Sequence, residues 1–309
     1  MRTWARLGAG AAILAVLVAR LGAGPFLDGL RMTSLWALAA AATITALTTV
    51  CCAWRWSLVA GGLGVDVRLR AAVAACYRSQ FLNSTLPGGV VGDVHRAVRH
   101  GRDVGNVARS ARAVVWERSL GLAVQIVLTA AVLLLLRSPV PATLPAIAAA
   151  AAAVGLVVVL ALGSLSGRLP GRVARAVTAD VRHVLLRRRW LGIGLASAIA
   201  LTGHAMVFLI AVRTAGTTAS AARLLPLALI VLLASAVPTN IAGWGPREGI
   251  AAWAFGSAGL GAEQGLTVAV VYGVMALFAT LPGAGLLWGP APAASPPPAT
   301  RLPEGAAHG

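Results

Sequence analysis

Six apolar stretches, at about residues 7–23, 33–60, 117–136, 142–163, 190–213 and 264–288, leave this chain few ways to fold. Each approaches or exceeds the roughly 20 residues that a helix needs to cross a hydrocarbon core. In lipid every backbone N–H and C=O must be satisfied within the protein, and a continuous run of this length does so as an α-helix. The chain is 58% hydrophobic and 11% charged, too little polarity to cover a water-soluble domain. An all-α polytopic membrane protein is predicted. The first run, with Arg2 and Arg6 before it and Gly22-Ala23-Gly24 after it, also fits a cleaved secretory signal. It is read as a first anchor because further spans follow.

The formal charge of +17 would point to nucleic acid in a soluble protein. Here the basic residues gather between apolar runs, notably over 96–118 and 164–189, which is the positive-inside pattern of a multi-pass protein. The expected partners are therefore anionic or phosphate-bearing lipid headgroups, and no nucleic acid. All 26 basic residues are Arg, which suggests GC-rich, bacterial coding. The N-terminus is expected on the cytoplasmic side of the cell membrane. Trp54-Arg55-Trp56, at the end of the second run, reads as an anchor at headgroup level. Cys51, Cys52 and Cys76 have neither metal-site spacing nor a disulfide framework and read as membrane-buried.

Two segments interrupt this pattern in the same way. Pro87-Gly88-Gly89-Val90-Val91-Gly92-Asp93-Val94-His95-Arg96 and Pro238-Thr239-Asn240-Ile241-Ala242-Gly243-Trp244-Gly245-Pro246-Arg247 share the spacing P-x4-G-x3-R, 151 residues apart. Paired Pro/Gly breaks in two halves of a membrane protein point to a binding site at a repeat interface. Residues 71–86 carry Arg78, Ser79, Gln80 and Asn83 and make a poor independent span. If each break turns back, the chain has about six full spans and two re-entrant helices, in half-repeats of about 7–136 and 142–288 with inverted topology. If the broken segments cross instead, there are seven or eight spans. Residues 289–309 form a Pro/Ala-rich tail unable to bury a core.

The polar residues at the breaks are the candidate substrate-binding set. Pro87 removes a backbone donor, and Gly88, Gly89 and Gly92 allow close approach or unusual dihedrals beside Arg96. Asp93 fits either a helix N-cap or a ligand role. Glu117 and Arg118 open the next span, Glu117 being either a functional intramembrane carboxylate or a first-turn residue favoured by the helix dipole. In the second break Asn240, Trp244, Arg247 and Glu248, around Gly243 and Gly245, bring together an amide, an aromatic face and a charge pair. Arg matters here because its planar fork pairs bidentately with phosphate. No phosphate loop, zinc-binding H-E-x-x-H or G-x-S-x-G elbow occurs, so no cofactor, metal or catalytic residue is expected.

Asn83-Ser84-Thr85-Leu86-Pro87-Gly88-Gly89-Val90-Val91-Gly92-Asp93 with Arg96, Glu117-Arg118, and Pro238 through Gly243-Trp244-Gly245 to Arg247-Glu248 resemble the lysylphosphatidylglycerol synthase transmembrane-region family of flippase-like proteins. The resemblance covers about residues 7–288. It implies movement of a lipid or lipid-linked substrate across the cytoplasmic membrane. Members that also make aminoacylated lipid carry a soluble catalytic domain after the membrane region. Here a short tail follows instead, and synthase activity is not expected. On this reading Arg96 and Arg247 clamp an anionic lipid or polyprenyl-phosphate headgroup, while Asp93, Glu117 and Glu248 balance or gate them. Two other readings remain open: a non-transporting scaffold of an envelope-biosynthesis enzyme, and a membrane transferase acting on lipid carriers.

Overall fold

The computed structural model describes residue 15 and residues 18–136, 189–236 and 243–287. Among them are ten helices: α1 (Gly24–Met32), α2 (Leu35–Gly62), α3 (Leu69–Thr85), α4 (Val91–Asp103), α5 (Val107–Leu135), α6 (Arg189–Thr214), α7 (Ala221–Ser235), α8 (Pro246–Ser257), α9 (Ala262–Thr280) and α10 (Pro282–Gly285). Four are long and apolar enough to cross a membrane: α2, α5, α6, and α9 with its continuation α10. The expected span at 142–163, most of that at 7–23, the basic stretch 164–188, Pro238, Asn240 and the tail 289–309 lie outside the described residues.

The two helices that flank each Pro/Gly break pack against each other as a hairpin. In the first, the Gly92 N–H donates to Asn83 Oδ1 at 2.8 Å, Ser79 Oγ donates to Asp93 Oδ1 at 2.9 Å, and an Arg96 Nη1 lies 3.3 Å from Cys76 Sγ. The partners diverge in sequence step by step, so α4 runs antiparallel beside α3. Helices of 17 and 13 residues reach only about 25 and 20 Å, short of a 30 Å hydrocarbon core. Gly92 permits the hairpin, since a Cβ there would collide with the Ser79 carbonyl. The second hairpin closes at its base, where Arg223 Nη2 donates to the Ala258 carbonyl at 2.5 Å. Pro246 takes the first position of α8, where a missing N–H costs nothing, and Gly245 before it holds φ 129°.

The hairpins enter from opposite ends. α2 and α6 pack antiparallel, Arg189 donating to the Leu58 carbonyl at 3.2 Å and Arg55 to Ser197 Oγ at 3.0 Å, while Gly203 makes room for Thr48. Small residues at such crossings let membrane helices approach closely. Since α3 follows the C-terminal end of α2 and α7 follows the C-terminal end of α6, the two hairpin bases lie at opposite ends of this pair. Gln264 ties the start of α9 to the second base through the Ala215 carbonyl at 2.6 Å. The tips meet in the interior, where a Cβ on Gly243 would contact the Ser84 carbonyl oxygen at 3.4 Å.

One buried apolar cluster, around Trp56, Val59, Ala72 and Ala113, holds the first half, and another, around Phe208, Leu227, Phe255 and Met275, holds the second. The Trp54-Arg55-Trp56 anchor is not interfacial: Trp56 is wholly buried and Arg55 is 7% exposed. Helix α1 was not anticipated; Pro25 is its second residue and it lies against α9.

Candidate functional site

A buried ionic network ties α2, α4 and α5 together. Glu117, 1% exposed, accepts from Arg55 Nε at 2.9 Å and Nη2 at 2.5 Å through Oε1, and from Arg96 Nη2 at 2.9 Å through Oε2. Asp93 Oδ1 receives Arg118 Nη2 at 2.7 Å and Arg96 Nη2 at 3.3 Å, and its Oδ2 receives Asn83 Nδ2 at 3.2 Å. Three guanidiniums thus face two carboxylates, leaving one positive charge in excess. Burying such groups is costly, and the cost is met only when each is paired and hydrogen-bonded. Arg96 also lies over the Trp56 ring, 4.7 Å from its centroid.

The second hairpin carries a more local arrangement. Glu248, fully buried at the third position of α8, accepts the Gly245 N–H at 2.6 Å and receives Arg247 Nε at 2.9 Å and Nη2 at 2.5 Å. The Arg247 guanidinium lies between two aromatic faces, 5.5 Å from the Trp244 centroid and 5.4 Å from that of Tyr272. Glycines on the neighbouring long helices leave space for both systems. A Cβ at Gly121 would stand 2.8 Å from the Arg55 guanidinium, and one at Gly273 would collide with that of Arg247.

Between the hairpin tips lies a cavity of about 430 Å³, within the size range of small-ligand sites. Arg55, Asp93 and Arg118 supply its charged wall, and Gly89 and Val90 border it from the first tip. Ser235 and Ala236 approach from the second hairpin, and Gln125, Ser197, His204 and Tyr272 complete its polar lining. Arg118, whose side chain is 49% exposed, reaches the cavity through a single carboxylate contact to Asp93 and a 3.9 Å approach to Glu117. A phosphate oxygen can take the place of that carboxylate with the same fork geometry.

Of the residues singled out in the sequence, Asn83, Gly92, Asp93, Arg96, Glu117 and Arg118 come together in one network. Pro87 is exposed at the first tip, and Gly88 and Gly89 hold positive φ there. Gly243 touches the first hairpin, and Trp244, Gly245, Arg247 and Glu248 form the second cluster. Pro238 and Asn240 fall outside the described residues. Arg96 and Arg247 do not line the cavity; each sits behind the wall, held by carboxylates and an aromatic face. The two alternatives for Glu117 resolve against a first-turn role, because α5 begins at Val107, ten residues earlier. Asp93 is not an N-cap either: Val90 holds that position.

Sequence reasoning missed Arg55, Ser197, His204 and Tyr272. Arg55 was detectable as a cation inside an otherwise apolar 28-residue helix, which is a functional signal by default. Its flanking tryptophans suggested an interface instead. The other three give no signal without the packing of α6 and α9. No group of three His, Cys, Asp or Glu side chains suited to a metal ion occurs among the described residues.

A family profile described as "Lysylphosphatidylglycerol synthase TM region" matches residues 3–283, nearly the whole chain. No curated protein and no solved structure matches it.

Proposed function

The chain belongs to the lysylphosphatidylglycerol synthase transmembrane-region family, and from that premise we propose that it moves an anionic lipid, or a polyprenyl-phosphate-linked one, across the cell membrane. The observation that carries the reading is the arginine-walled cavity between two hairpin tips that enter from opposite ends. Such a site lies at the repeat interface, where a headgroup is reachable from either side as one half rocks against the other. Arg118 and Arg55 contact the phosphate, and Arg96 and Glu117 hold them in position. Arg247 and Glu248 stiffen the opposing tip through Trp244 and Tyr272, and the acyl chains stay in lipid.

The orientation follows from charge. Arg68, Arg70, Arg99, Arg102 and Arg109 gather at the end where the first hairpin has its base, against Arg31, Arg213 and Arg223 at the other. By the positive-inside bias the first hairpin opens to the cytoplasm. We place the N-terminus on that side as well, in keeping with Arg2 and Arg6 ahead of the first apolar run.

The test is reconstitution into liposomes with fluorescent phosphatidylglycerol or a polyprenyl phosphate in both leaflets, quenched from outside. Protein-dependent exposure of inner-leaflet probe, reduced at least tenfold in Arg118→Gln, is the expected result. No movement of either probe above that in protein-free vesicles would overturn the proposal, and chemical conversion of the probe would replace it with a transferase.

A further inference from the structure

Six buried side-chain polar atoms among the described residues lack a hydrogen-bond partner, and four of them belong to residues that line one small recess. These are Trp56 Nε1, Arg78 Nε, Arg96 Nε and His100 Nε2. Buried polar groups in folded proteins are nearly always satisfied, so four orphans on residues around one space require an explanation. The recess lies between α2, α3 and α4, on the far side of Arg96 from the central cavity. Its volume is about 40 Å³, about three times the roughly 10–15 Å³ that admits one water, and so holds a group of a few atoms.

The chemistry of the orphans selects the occupant. Trp56 is fully buried, Arg78 is 4% exposed and Arg96 3%. Indole and guanidinium nitrogens donate and cannot accept. A water molecule among them would find donors for its lone pairs but few acceptors for its own hydrogens. An acceptor-only oxyanion satisfies all three, and also His100 in its protonated form. Arg99 and His95 add basic groups to the lining, and Asp103 is its one carboxylate. Charge-assisted bonds of this kind are among the stronger hydrogen bonds.

We propose that this recess is a second anion site, separate from the central cavity, that binds a phosphate group between Trp56, Arg78, Arg96 and His100. The phosphate comes either from free inorganic phosphate or from a lipid headgroup. Arg96 belongs to both sites: its Nη2 holds Glu117 and Asp93, its Nε has no partner, and the residue lines the recess. An anion there shares the guanidinium that organises the cavity wall. The proposal does not depend on lipid translocation.

The test uses the purified full chain in detergent, titrated with inorganic phosphate and, separately, with dioctanoyl phosphatidic acid, reading equilibrium binding and thermal midpoint. Wild type binds saturably and melts higher with ligand. Arg78→Gln binds at least tenfold more weakly, Trp56→Phe at least threefold more weakly, and Arg31→Gln, exposed at the other end of the molecule, as tightly as wild type. Arg78→Gln retains an amide able to reach the Leu286 carbonyl that Arg78 Nη1 contacts at 3.3 Å. If it nevertheless fails to fold, Trp56→Phe decides. Binding of inorganic phosphate identifies the free ion as a ligand; binding of the short-chain lipid alone identifies the headgroup. Binding of neither overturns the proposal, as does binding lost in Arg118→Gln but kept in Arg78→Gln, which assigns it to the cavity. Lipid movement is measured on the same preparation. Phosphate binding without movement sinks the translocation reading and leaves this one, and the converse result does the reverse.

Discussion

Replacing Glu117 with Gln preserves side-chain shape and removes one of the two carboxylates that face three guanidiniums, two of them, Arg55 and Arg96, buried. The single amide oxygen of Gln cannot serve both Arg55 and Arg96 and carries no charge; Arg55 keeps Ser197 at 3.0 Å, and Arg96 keeps Asp93 at 3.3 Å and Cys76 Sγ at 3.3 Å. Removing one partner of a buried ion pair costs about 3–5 kcal/mol, because the other charge stays buried and uncompensated. At about 2.1 cal/mol/K per residue, a chain of 309 residues shifts by roughly 1.5 °C per kcal/mol, so the thermal midpoint should fall by about 5–8 °C. Tryptophan fluorescence during heating in detergent measures it. The double variant Arg55→Gln/Glu117→Gln should recover part of the loss, since it returns the network to the single excess positive charge of wild type. A Glu117→Gln midpoint within about 2 °C of wild type would refute the reasoning. So would a double variant whose loss is the sum of the two single losses.

Gly92→Ala should abolish folded protein, because its Cβ would meet the Ser79 carbonyl, whereas Gly194→Ala, with nothing near its Cβ, should be neutral or gain up to about 1 kcal/mol of helix propensity; size-exclusion yield and thermal midpoint compare them. With Cys51, Cys52 and Cys76 replaced, single cysteines at Arg102 and Glu263 should react with impermeant reagent from opposite faces of sealed vesicles, and labelling from one face would contradict opposed hairpins. Burial pushes the His100 pKa down, against the opposing pull of its Val65 backbone bond and of Asp103. An oxyanion in the recess, faced also by Trp56, Arg78, His95, Arg96 and Arg99, favours the protonated ring, so binding takes up a proton. Sulfate, whose charge is constant over this range, should therefore bind more tightly at pH 6 than at pH 8, and His100→Gln should flatten that slope; equal affinity at both pH values in wild type would exclude the His100 contribution.

Helical membrane character was legible from run length alone, because hydrocarbon leaves the backbone no partner but itself. The two breaks were legible for a related reason: Pro and Gly interrupt an apolar run only where something else satisfies or shields the freed backbone. Local chemistry also placed Asn83, Asp93 and Arg96 in one neighbourhood, and their short separations across a turn made that legible. Tertiary structure alone decided which charges meet. Glu117 lies 62 residues from Arg55 and 21 from Arg96, and its pairing with both depends on how α2 and α5 are rotated about their own axes. That rotation is set by small contacts such as Gly121 beneath Arg55 and Gly203 beside Thr48, which carry no periodic signal. The same packing drew Arg96 and Arg247 behind the cavity wall and brought Arg118 and Tyr272 to its surface. A sequence states which residues are charged; whether a charge faces ligand or counter-ion is fixed by the helices that close around it.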